Sequence, residues 1–168
     1  PLLISGVATY SLEIIEQAPD AEIIIVPIGG GSGACGACIV ANHQNHKIDV
    51  IGVQSSNAPA AYNSWNTGRI QESKMETVAE GLATRTGFKF TQTILKNMLS
   101  DFVLVSDEEL KHSVSEHLKY THNLAEHAGA ASLAAAIKIK PKLKNKVVVL
   151  VLSGGNITID QLKLSIDQ

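Results

Sequence analysis

AEIIIVPIGGGSGACGAC, residues 21 to 38, decides how the chain folds. The run AEIIIV has the length of one strand and shows no alternation of polar with apolar residues, the pattern of a strand covered on both faces. A glycine-rich turn follows, and the small residues from 33 to 42 continue as a helix. A strand that passes through a tight turn into a helix is the first half of a βαβ unit, and a repeat of such units builds a parallel sheet.

The rest of the chain keeps that rhythm. Residues 7 to 17 have helical spacing and stop at Pro19-Asp20, while the residues before them read as the end of a strand. IDVIGV (48–53) is a second buried-type strand, and residues 58 to 65 form a helix opened by Asn57 and Pro59. Residues 66 to 87 contain Gly68, Gly81 and Gly87 and read as a long loop with one short strand at most, a length often kept for function. Residues 88 to 99 make a helix and DFVLVS (101–106) a strand. Ser106 with Glu109 three residues on is a capping box for the helix that follows, to 123. Another helix covers 127 to 139, and KVVVLVLS (146–153) is the most apolar strand, expected at the centre of the sheet. It ends in the turn SGGN (153–156) before a helix to 166. The fold class is α/β: three αβα layers around a mainly parallel open sheet, with residues 1–168 as one domain.

Composition narrows the partners. A chain of 168 residues with net charge -2 and 45% hydrophobic residues builds one core. No apolar run approaches the roughly 18 residues of a membrane span. The first residues lack the basic start of a signal peptide, so an intracellular, cytoplasmic home is expected. With Arg69 and Arg85 as its arginines the chain is a poor nucleic-acid binder, and KIKPKLKNK (138–146) is a solvated basic turn without interleaved aromatics. Small molecules remain as ligands.

Gly29, Gly30, Gly31, Ser32 and Gly33 stand between a strand and a helix N-terminus, where backbone N–H groups and the helix dipole meet and absent Cβ atoms let an anion approach. A tight crossover needs one or two glycines; this turn has more. The triphosphate-binding loop requires Lys after its last glycine, and Ala37 follows Gly36. A dinucleotide fingerprint fits as Gly31-x-Gly33-x-x-Gly36, although Gln54 stands where an acidic ribose ligand belongs about 20 residues on, and on the residues alone it stays open. Cys35 and Cys38 have redox-dithiol spacing, but they lie behind the glycine loop without a flanking Pro or aromatic, so packing is the simpler role. With His43 and His46 they share a helical face, yet they span about 16 Å along the axis, too far for one zinc.

P-I-G-G-G-S-G, A-E-G-L-A-T-R (79–85), N-L-A-E-H-A-G-A-A-S-L-A-A-A (123–136) and V-L-S-G-G-N (151–156) follow one another in an order and approximate spacing that resemble the threonine and serine dehydratases, pyridoxal-phosphate enzymes of the tryptophan-synthase-β fold type. G-V-A-T-Y-S-L-E-I (6–14) is similar too, so the resemblance spans the chain and places it in the C-terminal half of a catalytic region. It implies pyridoxal 5′-phosphate as cofactor, with its phosphate on Gly29, Gly30, Gly31, Ser32 and Gly33. It also implies Gly81 near the ring, Glu126 near the active centre and Ser153 facing the pyridine nitrogen. For Glu126 a second role stays open, a charge at a helix start. A neutral Ser153 hydroxyl does not enforce a protonated ring, which suits β-elimination of water.

The activity implied is ammonia-lyase action on L-threonine or L-serine, giving 2-oxobutyrate or pyruvate plus ammonia, in a cytoplasmic homo-oligomer serving isoleucine biosynthesis. Serine racemase, hydroxyaspartate ammonia-lyase and a non-catalytic dinucleotide-binding or regulatory domain are the alternatives. Two departures stand out. Some relatives bind a divalent cation through a Glu and an Asp where this chain has Gln54 and Ala60, so no metal is expected. The family's cofactor-carrying lysine lies upstream in a motif absent here; Lys74, Lys89 and Lys96 read as solvated, and the chain alone is expected to be inactive.

Overall fold

The computed structural model describes residues 1–166. Four strands, β1 (Ile23–Pro27), β2 (Asp49–Ser55), β3 (Asp101–Val105) and β4 (Val148–Leu150), form one sheet in the order β3-β2-β1-β4. Every pair is parallel: Ile24 sits beside Val50 and also beside Val149, and Gly52 beside Phe102. The fold class read from the sequence is the one found. Among the described residues no helix is long and apolar enough to cross a membrane.

Alternation along the strands assigns the layers. Ile24 and Val26 of β1 with Val50 of β2 face α3 (Ser32–Asn42), α4 (Ala60–Thr67) and α5 (Lys89–Met98), while Ile23, Ile25, Ile51 and Val53 face α6 (Asp107–Glu116) and α7 (Ala131–Lys138). Both faces are apolar because helices cover both, which is why the strands read as unbroken hydrophobic runs. Ser106 caps α6 as the sequence predicts: its hydroxyl accepts from the Glu109 N–H at 3.2 Å, and the Glu109 carboxylate accepts from the Ser106 N–H at 2.6 Å.

Four expectations change. The segment before residue 7 is helical, not the end of a strand: α1 (Leu2–Val7) precedes α2 (Thr9–Gln17), and Ile4 is buried against α3. Residues 127 to 130 are turn, so α7 is shorter than its apolar pattern suggests. The helix after Ser106 ends at Glu116 and gives way to a π-turn over His117–Thr121. The most apolar strand, β4, lies at the sheet edge and is only half-buried, because β1 is its one neighbour among the described residues. A hydrophobic run reports how a strand is buried in the folded protein; it does not say which partners lie within a given stretch of chain.

Candidate active site at the switch of the sheet

From β1 the chain builds outward through β2 to β3, then returns to place β4 on the other side of β1. The carboxyl ends of β1 and β4 therefore flank a crevice, the place where open parallel sheets bind ligands. A cleft of about 520 Å³ opens there, lined by Gly29, Gly30, Gly31, Ser32, Gly33 and Gly81 together with Ser153, Val7 and Tyr10.

The glycine turn is built to receive an anion. Ile28 N–H still bonds to Val53 and Cys35 N–H to Gly31, but the N–H groups of residues 29 to 33 donate to no acceptor among the described residues. Gly31, the residue before α3, sits at φ +89°, which only glycine adopts without strain. Gly30 is not left-handed, and the nearest atom to a Cβ there is Phe88 at 3.8 Å; glycine at 30 leaves room beside the turn rather than permitting a special φ. A side chain on Gly29 would strike the Gly81 carbonyl, so Gly81 is pressed against the turn although 52 residues separate them (81 − 29).

Glu126 lies five residues ahead of α7 (131 − 126), which removes the role of a charge at that helix start. Its N–H donates to Gly154 at 3.0 Å, and a Cβ on Gly154 would stand 2.7 Å from its carboxylate. Glu126 thus stands beside the SGGN turn with Gly81 close by, lining a small adjoining pocket of about 130 Å³ with His127 and Asn156. Ser132 braces the cleft from below the strand ends: its hydroxyl lies 2.9 Å from the Ile25 carbonyl and 3.0 Å from that of Val151, joining β1 to the segment that carries Ser153.

Several supporting residues escaped the sequence reading. Asp107 is buried beneath the loop that carries Gly81; its carboxylate accepts from Ser55 Oγ at 3.2 Å, Thr77 Oγ at 2.6 Å and the Val78 N–H at 3.1 Å. Burial works to raise its pKa, and these bonds, with one from Asn57, outweigh that and hold it below the ordinary value. Nothing local marks this role, since the donors come from two other segments. Tyr10 donates to the Gly33 carbonyl at 3.0 Å, and its burial raises the phenol pKa, keeping it a donor.

The thiols of Cys35 and Cys38 are buried, and burial pushes both up to about 12. They are protonated at neutral pH, and Cys35 donates to the Thr91 carbonyl at 3.5 Å. His43 and His46 bond to the backbone at Ile39 and Ala21, away from the thiols. The Gln54 amide accepts from the Tyr62 N–H at 3.0 Å and directs its NH₂ at the Leu82 carbonyl and Thr84 Oγ, 3.4 and 3.3 Å away. Lys96 is bound rather than free: its ammonium reaches the Trp65 carbonyl at 3.0 Å and lies over the Trp65 ring.

A parallel αβα domain with an unsatisfied N–H cradle at its switch point belongs to the broad class that binds phosphorylated cofactors. Comparison with known proteins narrows the class. Residues 1–154 match the model of the pyridoxal-phosphate dependent enzyme family, and the chain belongs to that family. It is 34% identical over 163 residues to an L-threonine ammonia-lyase of Thermotoga maritima, covering 96% of this chain and 40% of that protein. A serine racemase of Dictyostelium discoideum is 33% identical, with 95% of this chain and 51% of that one covered. A solved T.th. threonine deaminase superposes with TM-score 0.89 at 29% identity, over 95% of this chain and 55% of that chain. The chain thus spans about half, or somewhat less, of the length of these relatives.

Proposed function

We propose that this chain is the cofactor-holding half of an ammonia-lyase acting on L-threonine or L-serine. The observation that carries the reading is the row of N–H groups at residues 29 to 33 without acceptors among the described residues, on a cleft that Ser153 also lines. The residues fit pyridoxal 5′-phosphate: Gly29, Gly30, Gly31, Ser32 and Gly33 would hold the phosphate, and Ser153 would meet the ring nitrogen with a neutral hydroxyl. Gly81 would border the ring, with Glu126 beside it. When bound, the cofactor supplies an electron sink for cleavage at the amine-bearing carbon. The protein's part is to seat the phosphate and leave the ring nitrogen without an anionic partner. That combination favours loss of the β-hydroxyl over reactions that demand a full positive charge on the ring.

The lysine that carries the cofactor, and the surface that grips the substrate carboxylate, would come from the part of the relatives this chain does not span. A cytoplasmic homo-oligomer serving isoleucine synthesis is the setting we propose on the resemblance. Serine racemisation is the second reading, because a serine racemase matches over the same stretch at 33% identity, against 34% for the ammonia-lyase. The test is to assay the intact protein for 2-oxobutyrate from L-threonine, pyruvate from L-serine and D-serine from L-serine, with and without Ser153→Ala. Cofactor-dependent elimination that falls in the variant supports the proposal; racemisation without elimination favours the second reading. Absence of any reaction, with a cofactor spectrum unchanged on adding pyridoxal 5′-phosphate, refutes both.

A further inference from the structure

The peptide joining Gly30 to Gly31 has no Cβ on either side. Being planar and trans, it points its C=O and its N–H in opposite directions, so turning over as a rigid plane exchanges one for the other at the cleft. An inward N–H attracts a phosphate; an inward C=O repels it. One side chain discriminates between the two orientations. Thr91, in the first turn of α5, is buried, and its hydroxyl donates to the Gly30 carbonyl at 2.9 Å, with the Phe88 carbonyl as a second acceptor at 3.1 Å. Its Cβ and Oγ stand 3.1 Å from where a Cβ on Gly31 would lie, so Thr91 is in contact with both residues of the peptide. Thr91 is itself fixed, through the bond from Cys35 to its carbonyl and through fully buried Leu95 on the same helix.

We propose that Thr91 is a positioning residue for the cofactor phosphate: its hydroxyl holds the Gly30 carbonyl away from the cleft and so presents the Gly31 N–H to the anion. The inference rests on reading residues 29 to 33 as the phosphate cradle, and it assigns the cradle's selectivity to a residue 61 positions away in sequence.

The test is a comparison of dissociation constants for pyridoxal 5′-phosphate and for pyridoxal, measured on the intact apo-protein carrying this chain. Wild type is expected to prefer the phosphorylated form. Thr91→Val removes the hydroxyl at nearly constant volume and is expected to weaken pyridoxal 5′-phosphate about tenfold while changing pyridoxal less than twofold, and Thr91→Ser is expected to restore the preference. Thr91→Ala makes the same comparison if the valine variant does not fold. A merely structural role would weaken both ligands together or neither, and either result overturns the proposal. Wild-type protein that binds both ligands equally would overturn the cradle reading beneath it, a failure distinct from that of Thr91.

Discussion

At Gly31 the backbone leaves no choice of side chain. Its φ of +89° disfavours any Cβ, and one would meet Thr91 at 3.1 Å and Leu95 at 3.3 Å. Gly31→Ala is expected to lower stability by about 1–3 kcal/mol in urea unfolding and to weaken cofactor binding in the same protein. Gly30→Val should spare stability more than that, because its φ is unremarkable and its surroundings are open, while filling the space an anion needs. Equal losses at the two positions would count against the distinction. Ser153 makes the complementary case. Its hydroxyl is exposed and bonds to nothing among the described residues, so Ser153→Ala is expected to leave the melting temperature unchanged and cut turnover tenfold or more. Cys35→Ala with Cys38→Ala should cost stability through lost packing and leave activity within a few-fold of wild type, since neither thiol is ionised at neutral pH.

Elements are joined at this site by a few buried polar side chains, and the charge of Asp107 makes its contribution depend on pH. Its native carboxyl pKa lies below the ordinary value of 3.8, so the stability it contributes is complete above the unfolded-state value and disappears as pH falls through the native one. Asp107→Asn is expected to destabilise the protein by about 1–3 kcal/mol at pH 7, with the difference from wild type shrinking below pH 4. Denaturant unfolding at both pH values checks this; a difference independent of pH would show that the charge is not what holds the loop. The capping box of α6 was legible from Ser106 and Glu109 because both partners sit within one turn. The Asp107 contacts were not, because Ser55 and Thr77 reach it from other parts of the chain.

For the whole molecule, β4 has a free flank among the described residues, and Val147 and Leu152 beside it in sequence expose apolar surface. An apolar parallel edge of this kind favours association. The isolated 168-residue chain is expected to self-associate in light scattering and to form no 2-oxobutyrate from L-threonine. Borohydride reduction after incubation with pyridoxal 5′-phosphate should label no single lysine, as Lys74, Lys89 and Lys96 are all exposed and none lines the glycine cleft. One specifically labelled lysine together with turnover would show that the chain is a complete catalyst.

The sequence by itself determined the alternation of strands and helices, the parallel class of the sheet and the glycine turn after β1. All of these follow from burial and turn chemistry within a few residues of each other. Only the tertiary structure decided that β4 lies beside β1, bringing Ser153 to the same cleft as Gly29 to Gly33, and that Glu126 borders the SGGN segment five residues ahead of α7. It alone showed Gly81 pressed on Gly29 and Thr91 holding Gly30. The physical reason is range: hydrophobic period and backbone preference are local properties, whereas the order of strands and the hydrogen bonds of a loop depend on which distant segments the packed core brings together.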